Sequence, residues 1–189
     1  GRAGATREDA DDGRALAMTV FSLLRPGGVY VQRLVYAYGR RSQAATVRGL
    51  SFIHFARLAL VEEFPSYGQV PENLPHPLQL FESNYNGSFA QYIDTFVAAI
   101  PRAMRGFWLT SYGFPCRLPL GPFKQYISAN QFDIDHYYVA NPDATVTMIG
   151  SALRVARANA QFLLEAKDLP PDVFAERFWS VIRDIQQDL

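Results

Sequence analysis

Leu50-Ser51-Phe52-Ile53-His54-Phe55-Ala56-Arg57-Leu58-Ala59-Leu60-Val61-Glu62 decides the fold. Its aromatic and branched residues predict a strand. Both alternating faces are mostly apolar, whereas a strand covered on one face only would alternate cleanly. The stretch therefore predicts cover on both sides: helices on one, and on the other a second sheet supplied by a partner subunit.

The neighbouring segments supply the order. Upstream, Met18 to Arg25 reads as a first strand, ended by Pro26-Gly27-Gly28. Val31, Leu34, Val35 and Tyr38 then recur at helical spacing, and the helix closes on Gly39-Arg40-Arg41, where cations suit its C-terminal dipole. Ser42 to Gly49 is small and polar and predicts a loop. Downstream, Phe64 to His76 carries Pro65, Pro71, Pro75 and Gly68 and predicts a long loop. Pro77 to Tyr85 resumes a strand, Asn84-Tyr85-Asn86-Gly87 is turn chemistry, and Ser88 is a good N-cap. Phe89, Tyr92, Ile93, Phe96, Val97 and Ile100 form the cleanest helical stripe of the chain. Phe107 to Tyr112 is the expected fourth strand. The order β-α-β-β-α-β is that of an α+β, ferredoxin-like sandwich.

Beyond it, Phe123, Tyr126 and Ile127 predict a short helix and His136 to Ala140 one more strand. Asp143 is placed to cap a helix with the stripe Ile149, Leu153, Ala156, Ala160, Leu163 and Leu164. Leu169-Pro170-Pro171 links it to a last helix carrying Phe174, Phe178, Val181, Ile182 and Ile185. The expected organisation is an N-terminal arm over 1–15, a ferredoxin-like domain with additional C-terminal helices over 16–167, and a docking helix over 168–189.

Composition narrows the function. The chain has 189 residues, 49% hydrophobic and 14% aromatic, enough for a sizeable core. Charged residues are 19%, below the roughly 25% usual for soluble domains, which suggests an extra buried surface such as an oligomer interface or a ligand cavity. Eighteen basic residues balance eighteen acidic ones, so nothing draws the chain to nucleic acid. Cys116 is the only cysteine, which excludes an intrachain disulfide or an all-cysteine zinc site and suits a cytoplasmic protein. Apolar runs are too short for a transmembrane segment. There is no G-x-S-x-G, P-loop, G-x-G-x-x-G or H-E-x-x-H.

Four residues are candidates for holding a ligand: His54, Arg57, Glu82 and Asn84. His54 within a covered sheet suits a proton carrier, a haem ligand or a hydrogen-bonded core residue. Arg57, three residues on, falls on the opposite face unless a bulge intervenes. If buried it needs a partner, either Glu82 or an anionic ligand. Glu82, Asn84 and Asn86 end a strand that feeds a helix, a natural polar site and equally plain turn chemistry. Asp133, Asp135, His136, Tyr137 and Tyr138 form a polar aromatic cluster in which Asp135 and His136 would point oppositely on a strand, so no metal is expected. Cys116 lies beside Arg117 with no histidine near in sequence.

Leu50 to Arg57, Leu80-Phe81-Glu82-Ser83-Asn84-Tyr85-Asn86-Gly87-Ser88, Gly113-Phe114-Pro115 and His136-Tyr137-Tyr138-Val139-Ala140 together resemble an uncharacterised bacterial family. Its members carry a His-Phe-Ala-Arg strand, a Phe-Glu-Ser-Asn turn, a Gly-aromatic-Pro loop and a Tyr-Tyr-x-Ala strand in this order. The match spans roughly Met18 to Ala160. The chain also looks like the dimeric α+β barrels, some of which bind haem or oxidise small aromatic or lipid substrates. The resemblance implies a homo-oligomer or a subunit of a larger complex. Two functions follow. One is a small-molecule-binding domain for an apolar or oxygenated ligand between sheet and helices, with scope for redox chemistry. The other is a non-catalytic accessory subunit docked on a larger assembly through its arm and last helix.

Overall fold

Residues 15–42, 50–64 and 66–189 are described by a computed structural model. The expected arm, apart from Ala15, and the loop over 43–49 lie outside them. The chain divides into two compact units, the first ending at Asp143 and the second running Ala144–Leu189. The division falls before the penultimate helix, earlier than the expected boundary at residue 167.

In the first unit, β1 (Ala15–Leu23), α1 (Gly28–Ser42), β2 (Ile53–Phe64), β3 (Glu72–Asn86), α2 (Phe89–Ala99), α3 (Pro101–Trp108), α4 (Leu120–Asn130) and β4 (Gln131–Phe132) follow in order. The strands form one four-stranded sheet in the order β2-β3-β1-β4, and every neighbouring pair is antiparallel. Met18, Val20 and Ser22 of β1 and Gln79, Phe81, Ser83 and Tyr85 of β3 are buried at alternate positions. They face α2, α3 and α4, whose Tyr92, Ile93, Phe96, Met104, Trp108, Phe123 and Ile127 complete the core. One hydroxyl chain ties three elements together: Tyr92 OH donates to Ser83 Oγ at 2.7 Å, and Ser83 Oγ donates to the Phe55 carbonyl at 3.1 Å. Tyr85 stacks on Tyr92 with ring centres 3.9 Å apart.

Several expectations are met with shifted bounds, and others are corrected. Gly87 makes its turn at φ +90°, and Ser88 caps α2 by accepting from the Gln91 amide. The long loop expected over Phe64 to His76 is shorter, since β3 begins at Glu72; Pro75 and Pro77 lie inside it, at a register shift between Val61 and Glu63 where ladder bonds are interrupted. The fourth strand is not Phe107 to Tyr112. Pro101 occupies the first turn of α3, whose inward face is Ala103, Met104 and Trp108, so Phe107 is helical. Only Ser111 bridges the sheet, to Leu24. The true β4 has two residues, held by the edge-on contact of Phe132 with Phe21 at 5.0 Å. His136 to Ala140 forms no strand. The chain there runs on irregularly until the Ala15 amide donates to the Pro142 carbonyl.

The α1 helix forms where expected but turns a different face inward. Val29 and Gln32 are buried while Leu34 is 72% exposed. Gln32 donates to the Phe107 carbonyl at 2.9 Å, and Gly106 of α3 sits under Val35, where a Cβ would come within 3.2 Å. The close approach of the two helices sets the rotation.

The second unit is a helical hairpin of α5 (Val146–Glu165) and α6 (Pro171–Asp184). Thr145, not Asp143, caps α5 by accepting from the Met148 amide. Phe162 packs on Phe174 and Phe178, with ring centres 5.2 and 5.9 Å away. Arg154 and Ser151 both donate to Asp188, holding its carboxyl down at about 2. The expected stripe of α5 faces outward: Ile149, Leu153, Leu163 and Leu164 are all exposed.

Removing the Tyr92 hydroxyl leaves Ser83 its bond to Phe55, so Tyr92→Phe should cost about 1–2 kcal/mol in urea unfolding. Burial raises the pKa of Tyr85 to about 12 and those of Tyr36 and Tyr92 higher still. A tyrosine ionises near 10 when unfolded, so the stability these groups supply is complete below pH 10 and is lost as pH rises toward 12. Titration at 295 nm should show them ionising together with loss of the circular dichroism signal. Stepwise ionisation of a folded chain would contradict it.

Candidate functional site

Strand alternation sorts the candidate residues. In β3, Phe81, Ser83 and Tyr85 face the helices, so Leu80, Glu82 and Asn84 face the other way. Direct partners across the ladder share a face, and Arg57 is opposite Glu82 while Phe55 is opposite Asn84. On β1, Ala17, Thr19 and Phe21 stand opposite Asn84, Glu82 and Leu80. Arg57, Glu82 and Asn84 are thus brought together on the face turned away from α2, α3 and α4, amid Phe21, Phe55, Leu80 and Ala59. A ligand they hold would lie on that face rather than between sheet and helices.

Arg57 Nε and Glu82 Oε2 are 2.5 Å apart, with the Arg57 side chain 56% and the Glu82 side chain 29% exposed. The structural partner expected for Arg57 is therefore present. Both groups keep solvent contact, so neither bears the full desolvation of a buried charge. Phe55 is 47% exposed on the same face, with Phe132 and Leu23 more than a third exposed at its margin.

His54 stands apart. A register shift between Ile53, opposite Tyr85, and Phe55, opposite Asn84, places one extra residue in β2 at His54. The bulge takes His54 out of the alternation that would have set it against Arg57. Its Nε2 is buried and has no protein partner. A haem would need that nitrogen to face an opening as wide as the macrocycle. Solvent does not reach it, so His54 in this setting does not fit the group.

The other clusters stay dispersed. Asp133, Asp135, His136 and Tyr138 are exposed in the irregular chain after β4. Among the described residues no three His, Cys, Asp or Glu side chains converge as a metal set. Cys116 is exposed in its loop. His76 meets the Tyr112 ring edge-on at 5.7 Å. An open groove of about 610 Å³ lies at the far end of the β2–β3 hairpin, lined by Leu60, Val61, Glu62, Glu63 and Asn73. Glu62 there pairs with Arg33 of α1.

A second polar group was not anticipated from the sequence. Ser22, Gln79 and Ser111 are fully buried on the helix side. The available signal was phase: Ser22 and Gln79 sit at inward positions, in step with the apolar Met18 and Val20 of β1 and Phe81 and Tyr85 of β3. No described helix is long and apolar enough to cross a membrane. Comparison with protein-family models, with curated proteins and with solved structures found no match.

An exposed ion pair contributes little, because water screens it and ordering two long side chains costs entropy. For the single chain, at a concentration too low for association, a double-mutant cycle of Arg57→Ala and Glu82→Ala read by urea unfolding should give a coupling below about 1 kcal/mol. A coupling several times larger would mean that the face is covered in solution.

Proposed function

We propose that the chain is a ferredoxin-like, small-molecule-binding α+β domain whose ligand face is the side of the sheet turned away from α2, α3 and α4, closed over by a second copy. The β-α-β-β-α order and the strand order β2-β3-β1-β4 support this topology, with a β4 of only two residues. The observation that carries the reading is the Arg57–Glu82 pair, with Asn84 beside it, set in an apolar and half-exposed sheet face. Phe21, Phe55 and Leu80 offer contact for an apolar body. The Arg57 guanidinium and the Asn84 amide offer donors to an oxygenated head, and Glu82 offers an acceptor. The face carries one cation and one anion side by side. A two-fold related copy could set Arg57 of each chain toward Glu82 of the other, which suits an isologous pairing. The resemblance to the dimeric α+β barrels points the same way.

A second reading, as an accessory subunit, rests on the hairpin. Ile149, Leu153 and Leu163 recur at intervals of four to ten residues along the outward face of α5, with Ala156 and Ala160 between them. Such a stripe is shaped to receive another helix.

Native mass spectrometry and an absorption spectrum of protein purified from its source separate the two. A dimer carrying a bound small molecule is expected. Leu80→Arg, at the centre of the face, should give a bare monomer. Arg57→Ala should keep the dimer and weaken ligand binding at least tenfold. A chain recovered bare, and only within a larger complex that Leu153→Asp releases, would overturn the ligand reading in favour of the accessory one.

A further inference from the structure

On the helix side of the sheet, five buried polar side chains have few protein partners: the hydroxyls of Ser22, Ser111 and Tyr126 have only one another, and Trp108 Nε1 and both ends of the Gln79 amide have none. The fold brings four of them, Ser22, Gln79, Ser111 and Tyr126, to one place. Ser22 and Gln79 are direct cross-strand partners on β1 and β3. Ser111 follows α3 and is bridged to Leu24, two residues past Ser22. Tyr126 reaches in from α4, and its hydroxyl lies beside those of Ser22 and Ser111. A continuous run of rings walls the group, from Phe81 to Trp108, Phe123, Phe114 and Tyr126.

Buried polar atoms are almost always hydrogen-bonded, and each one left unpaired costs free energy. The three hydroxyls can turn toward one another, but that leaves the Gln79 amide, with two donors and an acceptor, and the Trp108 donor unanswered. No charged side chain belongs to the set, so an ion would have no countercharge in a place shut off from bulk solvent. The group asks for a partner that is neutral, small, and both donor and acceptor.

We propose that Ser22, Gln79, Ser111 and Tyr126 form an internal binding site for a neutral donor–acceptor guest the size of one or a few water molecules. It lies across the sheet from the Arg57–Glu82 face and is independent of it. The guest comes either from solvent or from a small neutral metabolite, and the two sources are separable.

Oxygen-17 relaxation dispersion of water on the full chain counts waters held longer than the tumbling time, and native mass spectrometry reports an organic guest. The expected result is at least one long-lived water per chain that is lost in Gln79→Leu, with Tyr67→Ala, at an exposed position outside both sites, unchanged. A neutral organic adduct lost in the same variant would equally support the site and assign the guest to a metabolite. Tyr126→Phe keeps the ring and its volume, and gives the same readout if Gln79→Leu fails to fold. Identical dispersion in wild type and variants, with no adduct in any, would overturn the proposal.

Discussion

The two-residue period of β3 is the constraint on which the rest depends. Paired with β2 on one side and β1 on the other, this strand is central to the sheet. Its side chains must alternate, so Phe81, Ser83 and Tyr85 go to the helices while Leu80, Glu82 and Asn84 go to the opposite face. Everything polar is sorted by that rule. The charged pair lies where bulk solvent can still reach it, and the neutral hydroxyls and amide lie where it cannot. A charge at Ser83 would have to be buried against Tyr92, and a shift of register by one residue would exchange the two sets.

Much of this was legible in the residues. The apolar strands, the Ser88 cap and the helical stripe of α2 each carry a local physical reason, and each recurs in the structure. The pairing of Arg57 with Glu82 was also within reach, since both lie on segments read as strands. Long-range register was not legible. Whether His54 faces Arg57 depends on one extra residue in β2, and the bulge becomes visible only when the strand is laid against β3. Phe107 to Tyr112 is aromatic and looks extended, yet Pro101 starts a helix that the packing of Trp108 carries over its first two residues, and a turn takes the rest. Gln32 and Gly106 decide the rotation of α1 from another part of the chain.

The helical hairpin teaches a related lesson. An apolar stripe says that a face wants cover, not which partner covers it. In α5 the hairpin is held instead through Phe162 and through the polar grip of Ser151 and Arg154 on Asp188. Those contacts need only a few residues, which leaves the longer stripe to the outside.

The brevity of β4 bears on how the sheet comes together in time. Its partners on β1, Thr19 and Val20, lie more than a hundred residues away along the chain, and only Gln131 and Phe132 repay the closure of so long a loop. By contrast β2 and β3 are adjacent hairpin strands that can zip locally. The fourth strand is therefore set to join last and to fray first, with Phe132 on Phe21 as its latch. Loop-closure entropy thus favours a sheet that starts as a hairpin, gains β1, and is trimmed at its edge only once the core has closed.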